Sequence, residues 1–133
     1  MSHLLLDTHV WAWSIWQDQR LTLKAVEAIR TADSVAISTI STYEIGQKVR
    51  LGKWPQMAPV FSQLERIALH QGAVFAPVTF EISEQAATLD WPHRDPFDRL
   101  IAATALMTSR ILISADAEFD ALMGEQRWPG RLW

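Results

Sequence analysis

His3-Leu4-Leu5-Leu6-Asp7-Thr8-His9-Val10-Trp11 is the stretch on which the reading of this chain turns. Its centre is continuously apolar over a few residues, the pattern of a strand from His3 to Asp7 buried on both faces, and Val10 to Trp16 follow as a short helix. Asp7 closes that strand. A carboxylate there must leave water for an apolar setting, which gains little unless something binds it.

Outward from this stretch, strand and helix alternate. Thr22 starts a helix carrying Leu23, Val26, Ala28 and Ile29 at close to helical spacing, and residues 35 to 38 form a second strand. Ile40 to Leu51 is helical and ends near Gly52. Trp54-Pro55 and Pro59 mark a loop before a helix from about Val60 to His70, stopped by Gly72. A shorter third strand at Val74 to Val78 precedes a helix from Glu81 to Leu89 and a loop at Trp91-Pro92-His93-Arg94. Asp95-Pro96-Phe97-Asp98 is the clearest helix start, with Asp95 as N-cap, Pro96 at the first helical position and Asp98 at the third. Ile111 to Ser114 is a strand, Glu118 to Leu122 a short helix, and Arg131 to Trp133 a last edge strand. Strands recurring between helices predict an α/β fold: a three-layer sandwich whose central, mostly parallel twisted sheet is flanked by helices, with residues 1–133 forming a single domain.

Four acids stand where strand ends or helix starts aim side chains into one crevice: Asp7, Glu44, Asp98 and Asp116. Two carboxylates about 4 Å apart repel by roughly 4 kcal/mol at an effective dielectric near 20. Several in one pocket must therefore protonate or recruit a counter-charge, and local spacing forces no Lys or Arg among them. Oxygen ligands, without Cys and without an obvious His pair, suit Mg²⁺ or Mn²⁺ better than zinc or copper. Three of the four also have a purely structural explanation, and Asp7 is the one harder to dismiss. Glu44 could complete a capping box with Ser41, Asp98 could complement a helix dipole, and Asp116 could cap the helix after it. The coincidence of all four favours a metal site.

Composition narrows the classes. At 133 residues and 49% hydrophobic, the chain supports one domain with a substantial core. The absence of Cys removes disulfides and thiol nucleophiles and fits a reducing cytoplasm. With no basic region before a long apolar stretch and no run near the roughly 18 residues of a span, neither a signal peptide nor a membrane helix is expected. The net charge of -3 lacks the basic footprint of most nucleic-acid binders, yet without the four acids 12 positive residues face 11 negative. Lys48, Arg50 and Lys53 lie together beside Trp54. They read equally as a solvated helix end with a Glu44–Lys48 pair or as phosphate contacts. The segment Val10 to Trp16 is apolar nearly all round, so at least one of its tryptophans is expected to face a partner rather than the core.

Leu4-Leu5-Leu6-Asp7-Thr8-His9-Val10-Trp11, Ser38-x-x-Ser41-x-x-Glu44-Ile45, His93-Arg94-Asp95-Pro96-Phe97-Asp98-Arg99-Leu100-Ile101-Ala102-Ala103 and Ile113-Ser114-Ala115-Asp116-x-x-Phe119 resemble, in order and spacing, the PIN-domain family, and most closely its VapC-type toxins. The resemblance implies that Asp7, Glu44, Asp98 and Asp116 are the first to fourth acidic metal ligands, and that Ser114 supports them. Asp95 matches an additional acid common in this subgroup, although its N-cap position already accounts for it. His9 and His93 are similar to residues common in the subgroup and are not required by the metal chemistry. Leu122 departs from the pattern, because many relatives carry an aromatic residue there. The implied function is Mg²⁺-dependent endoribonuclease activity, with Mn²⁺ able to substitute, leaving a 5′-phosphate and a 3′-hydroxyl. The implied partners are RNA, a second copy in a homodimer and a cognate antitoxin protein that inserts a basic side chain among the acids. PIN nucleases of RNA processing share these motifs, so the toxin role is one of two.

Other classes fit less well. A phosphatase of the haloacid dehalogenase type wants an Asp two residues after Asp7, where His9 stands. A receiver domain wants paired acids at the first strand and a Lys ending a late one. A non-catalytic metal- or peptide-binding module would keep the acids without turnover. Neither Gly-x-Gly-x-x-Gly nor a P-loop is present.

Overall fold

A computed structural model describes residues 2–133. Five strands, β1 (His3–Leu6), β2 (Ser34–Ser38), β3 (Val74–Ala76), β4 (Ile111–Ile113) and β5 (Arg131–Leu132), form one sheet in the order β3-β2-β1-β4-β5. Every pairing is parallel, so the expected mostly parallel sheet is wholly parallel. The helices are α1 (Thr8–Trp16), α2 (Leu23–Thr31), α3 (Thr39–Arg50), α4 (Leu64–His70), α5 (Phe80–Thr88) and α6 (Pro96–Thr108).

Alternate residues of a strand point to opposite faces, and the central strand feeds a core on each side. Leu4 and Leu6 join Trp11, Ile45, Met57 and Leu64 on one face. Leu5 joins Ile101, Ala102, Ala105 and Phe119 on the other. Burying each of the leucines, isoleucines and the methionine and phenylalanine among them contributes roughly 2 kcal/mol. The run of alanines in α6 lets that helix lie close against the sheet, and Ala103 on a further face receives Ile82 and Ala86 of α5. The result is the three-layer arrangement expected from the sequence.

Two segments differ from the sequence reading, the loop and helix start around Pro55 to Gln63 and the short helix at Glu118 to Leu122. Residues 55–63 form a 3-10 helix that hands over to α4, because Pro59 lacks the amide an α-helical turn would use. Residues 117–124 also form a 3-10 helix, capped by Asp116. Leu122 is buried there, so the missing aromatic ring leaves an apolar position intact. Helix α3 and the 55–63 segment meet at Gly46, where a Cβ would stand 2.7 Å from the Phe61 ring. Among the described residues, no helix is long and apolar enough to cross a membrane.

Strand order reverses between β1 and β4: from β1 the chain builds outward through β2 and β3, then returns to lay β4 on the other side. The carboxyl ends of these neighbouring strands therefore open a crevice at the switch point, where open α/β sheets bind ligands.

Candidate metal and nuclease site

Asp7, Glu44, Asp95, Asp98 and Asp116 line one cleft together with His9, Trp13 and Lys48. Asp7 follows β1 directly and its amide donates to the Ile113 carbonyl of β4 at 3.0 Å, which anchors it at the switch point. Its carboxylate accepts from the Ser114 hydroxyl at 2.7 Å and from the Thr8 amide at 2.8 Å. The Ser114 hydroxyl also accepts from the Asp116 amide at 3.0 Å, so one side chain sets the positions of two acids. Beyond it, Arg131 donates to the Ser114 carbonyl at 2.8 Å while gripping Asp120 with two hydrogen bonds.

Glu44 stands on the inner face of α3. The capping-box explanation fails: Ser38 is the N-cap of α3, and Ser41 lies inside the helix, sharing a 2.8 Å hydrogen bond with Thr8 at the start of α1. Lys48 donates to Glu44 Oε2 at 2.9 Å. Local spacing did not force a cation into the cluster, yet one helical turn carries Lys48 to its edge. Glu44 Oε1 is buried with no hydrogen-bond partner. A buried carboxylate oxygen without a donor costs on the order of 1–3 kcal/mol.

Asp98 projects from the first turn of α6, after the N-cap Asp95 and Pro96, as the sequence predicts. Asp95 accepts from the Phe97 amide at 2.8 Å, the capping role that accounted for it. His93, from the loop before α6, shares a 2.6 Å hydrogen bond with Asp98. One ligand atom each from His93, Asp98 and Asp116 lies within 4.8 Å of the others, a spacing able to hold an ion. His93 is thus closer to the centre than the sequence reading required. That loop is held by Arg99, whose guanidinium donates to the carbonyls of Ala86, Leu89, Trp91 and His93 at 2.6–2.9 Å. Nothing in the spacing of Arg99 announces this role beyond its place next to Asp98.

Electrostatics matches the crowding. Burial pushes the Asp7 carboxyl up to about 6, opposed by the Ser114 hydrogen bond and reinforced by Asp98 and Glu44. Burial also raises Asp98, although the His93 hydrogen bond pulls it down. The hydrogen bond to Asp98 raises His93 in turn. Two acids held above the usual carboxylate range, Asp7 and Asp98, plus the orphaned Glu44 oxygen, are the donor set of a site that a hard divalent cation would complete.

A model of the PIN domain family matches residues 4–124. The curated relative Ribonuclease VapC22 of Mycobacterium tuberculosis (strain ATCC 25618 / H37Rv) is 34% identical over 116 residues, covering 87% of this chain and 88% of that protein. Among solved structures, a toxin-antitoxin complex from Klebsiella pneumoniae contains a chain with a TM-score of 0.64 at 19% identity, covering 98% of this chain and 96% of that one. VapBC-5 from Mycobacterium tuberculosis gives 0.57 at 20% identity, with 94% of each chain covered. VapBC2 from Rickettsia felis, bound to a promoter DNA fragment, gives 0.60 at 14% identity, with 90% and 92% covered. At these identities the three structures speak for the fold.

Proposed function

The chain belongs to the PIN domain family, and from that membership we propose that it is a metal-dependent endoribonuclease, hydrolysing RNA phosphodiester bonds as the toxin of a toxin–antitoxin pair in the cytoplasm. The observation that carries the reading is the convergence of four sequence-distant acids, Asp7, Glu44, Asp98 and Asp116, in one cleft at the switch point of the sheet. The 34% identity to a ribonuclease across most of both chains supports the choice of RNA as substrate.

Asp7 and Asp98 are the residues that would hold the principal ion, with Glu44 and Asp116 completing the site directly or through water. A bound Mg²⁺ or Mn²⁺ supplies charge neutralisation at the phosphate and a water of lowered pKa. Oxygen donors and the unpartnered Glu44 Oε1 fit such an ion. The chain's own part is positioning. Ser114 orients Asp7, the Thr8–Ser41 hydrogen bond ties α1 to α3 so that Asp7 and Glu44 keep their spacing, and Arg99 holds the loop that brings His93 to Asp98. Lys48 neutralises part of Glu44 and presents a cation to an approaching phosphate.

Total RNA incubated with purified protein and Mn²⁺ or Mg²⁺ should be cleaved to fragments bearing 5′-phosphates, and chelator should stop it. Asp7→Asn and Asp98→Asn should each abolish cleavage with the fold retained. Full activity in either, with contaminating nuclease excluded, would refute the assignment. The proposed partners are a second copy of this chain and an antitoxin whose basic side chain enters the acidic cleft. Light scattering that shows only monomer across micromolar concentrations contradicts the homodimer.

A further inference from the structure

Beside the acidic cleft lies a second groove of about 680 Å³, the size of a small-ligand pocket, that the metal chemistry does not use. Aromatic rings file along it: Trp13 meets His9 at 5.9 Å, and His9 stacks on Trp54 at 4.6 Å with an interplanar angle of 25°. Cations lie over two of them, with Arg20 5.0 Å from the Trp13 ring centre and Lys48 5.5 Å from that of Trp54. Trp16 also lines the groove and is 52% exposed, an apolar ring that the fold alone has no reason to leave in water. Three cations, Arg20, Lys48 and Lys53, line it with one acid, Asp18; Arg20 holds Asp18 at 2.7 and 3.1 Å, and Lys48 bridges from the groove to Glu44 of the acidic cleft at 2.9 Å.

Groove and cleft adjoin, with His9, Trp13 and Lys48 lining both. The third member of the basic trio, Arg50, lies elsewhere, on a groove with Tyr43 and Phe61.

We propose that this aromatic and basic groove is a track for unpaired RNA, on which bases stack against the tryptophan rings and phosphates pair with Arg20, Lys48 and Lys53, leading the strand into the acidic cleft. The identity of the substrate rests on the ribonuclease reading. Rings interleaved with cations are the combination that binds single strands without base-edge readout. A duplex keeps its base faces inside its own stack and cannot use such rings, and an apolar peptide helix gains nothing from three cations.

The test uses a fluorescein-labelled unpaired RNA of roughly 12 nucleotides, and the same RNA annealed to its complement. Anisotropy is titrated in magnesium buffer with Asp98→Asn in every protein, so that the strand stays intact. The unpaired strand should quench tryptophan fluorescence and bind about tenfold more tightly than the duplex. Trp16→Ala and Lys53→Glu change exposed positions and should keep the melting temperature while weakening strand binding about fivefold or more. Lys53→Ala should reduce the slope of log affinity against log salt by about 0.7. Equal affinity for strand and duplex, or strand binding unchanged in both groove variants, overturns the track. Loss of binding to a protein partner with RNA affinity intact also overturns it and gives the groove to a peptide. Cleavage by the parent sequence in Mn²⁺ separates the two readings. Strand binding as expected without cleavage removes the nuclease and keeps the track; cleavage with indifferent groove variants removes only the track.

Discussion

Asp7 answers two demands that pull in opposite directions. As the cap of α1 and a partner of Ser114 it accepts hydrogen bonds, which favours the carboxylate; buried beside Asp98 and Glu44 it resists ionisation, and resistance wins. The rise from 3.8 to about 6 corresponds to about 3 kcal/mol against the ionised folded protein. An acid with a higher pKa in the folded chain holds its proton longer there. Its contribution is therefore neutral below about pH 4 and becomes unfavourable as pH climbs through about 6. Asp7→Asn should accordingly stabilise the metal-free protein near pH 7.5 by up to about 3 kcal/mol, and the gain should shrink to nothing near pH 4. Thermal melts of both proteins in EDTA across that range check it, and a gain that grows on acidification would contradict the stated cause. The same substitution should remove cleavage, so stability and activity should move in opposite directions at this residue.

At the level of elements, the loop between α5 and α6 owes its shape to Arg99. Four main-chain carbonyls converge on a single guanidinium, a fan of donors that a lysine ammonium cannot reproduce. Arg99→Lys should cost about 2 kcal/mol in denaturant unfolding, since carbonyls of a half-buried loop lose their donors. It should also lower cleavage more than His93→Ala does, because Arg99 holds the whole loop that opens α6 and His93 is one contact of it. Activity ranking the other way would make the His93–Asp98 hydrogen bond the dominant feature. The tryptophans of α1 divide along the same lines of packing. Trp11 is fully buried with its indole nitrogen donating to Gln71, whereas Trp13 and Trp16 line the basic groove.

For the whole molecule, the acids lie on separate elements, so a cation held by all four would link the end of β1, α3, α6 and the segment after β4. Anything that binds the folded chain alone stabilises it by mass action, about 2.7 kcal/mol at a hundred times its dissociation constant. Adding Mg²⁺ or Mn²⁺ near pH 7.5 should therefore raise the melting temperature by several degrees, at roughly 3 °C per kcal/mol for a chain of this size. Near pH 5 the rise should be smaller, because a protonated Asp7 is a poor ligand. Scanning fluorimetry with metal, with EDTA and with Asp98→Asn tests this directly: an equal rise at both pH values, or in the variant, would place the ion somewhere else.

The strand and helix order, the caps at Thr22 and Asp95, the doubly buried character of β1 and the candidate acids were legible in the chain itself, because periodicity and capping act over a few residues. Contacts between distant segments were not. That Ser41 bonds Thr8 instead of capping Glu44, that Arg99 gathers four carbonyls, that His93 closes on Asp98, and that a ring file with its cations adjoins the acids all depend on strand order and helix packing. Sequence determined which residues carry charge and where each element starts; tertiary structure decided which of them share a dielectric environment, because burial and proximity across the fold, not spacing along the backbone, set how strongly two groups act on each other.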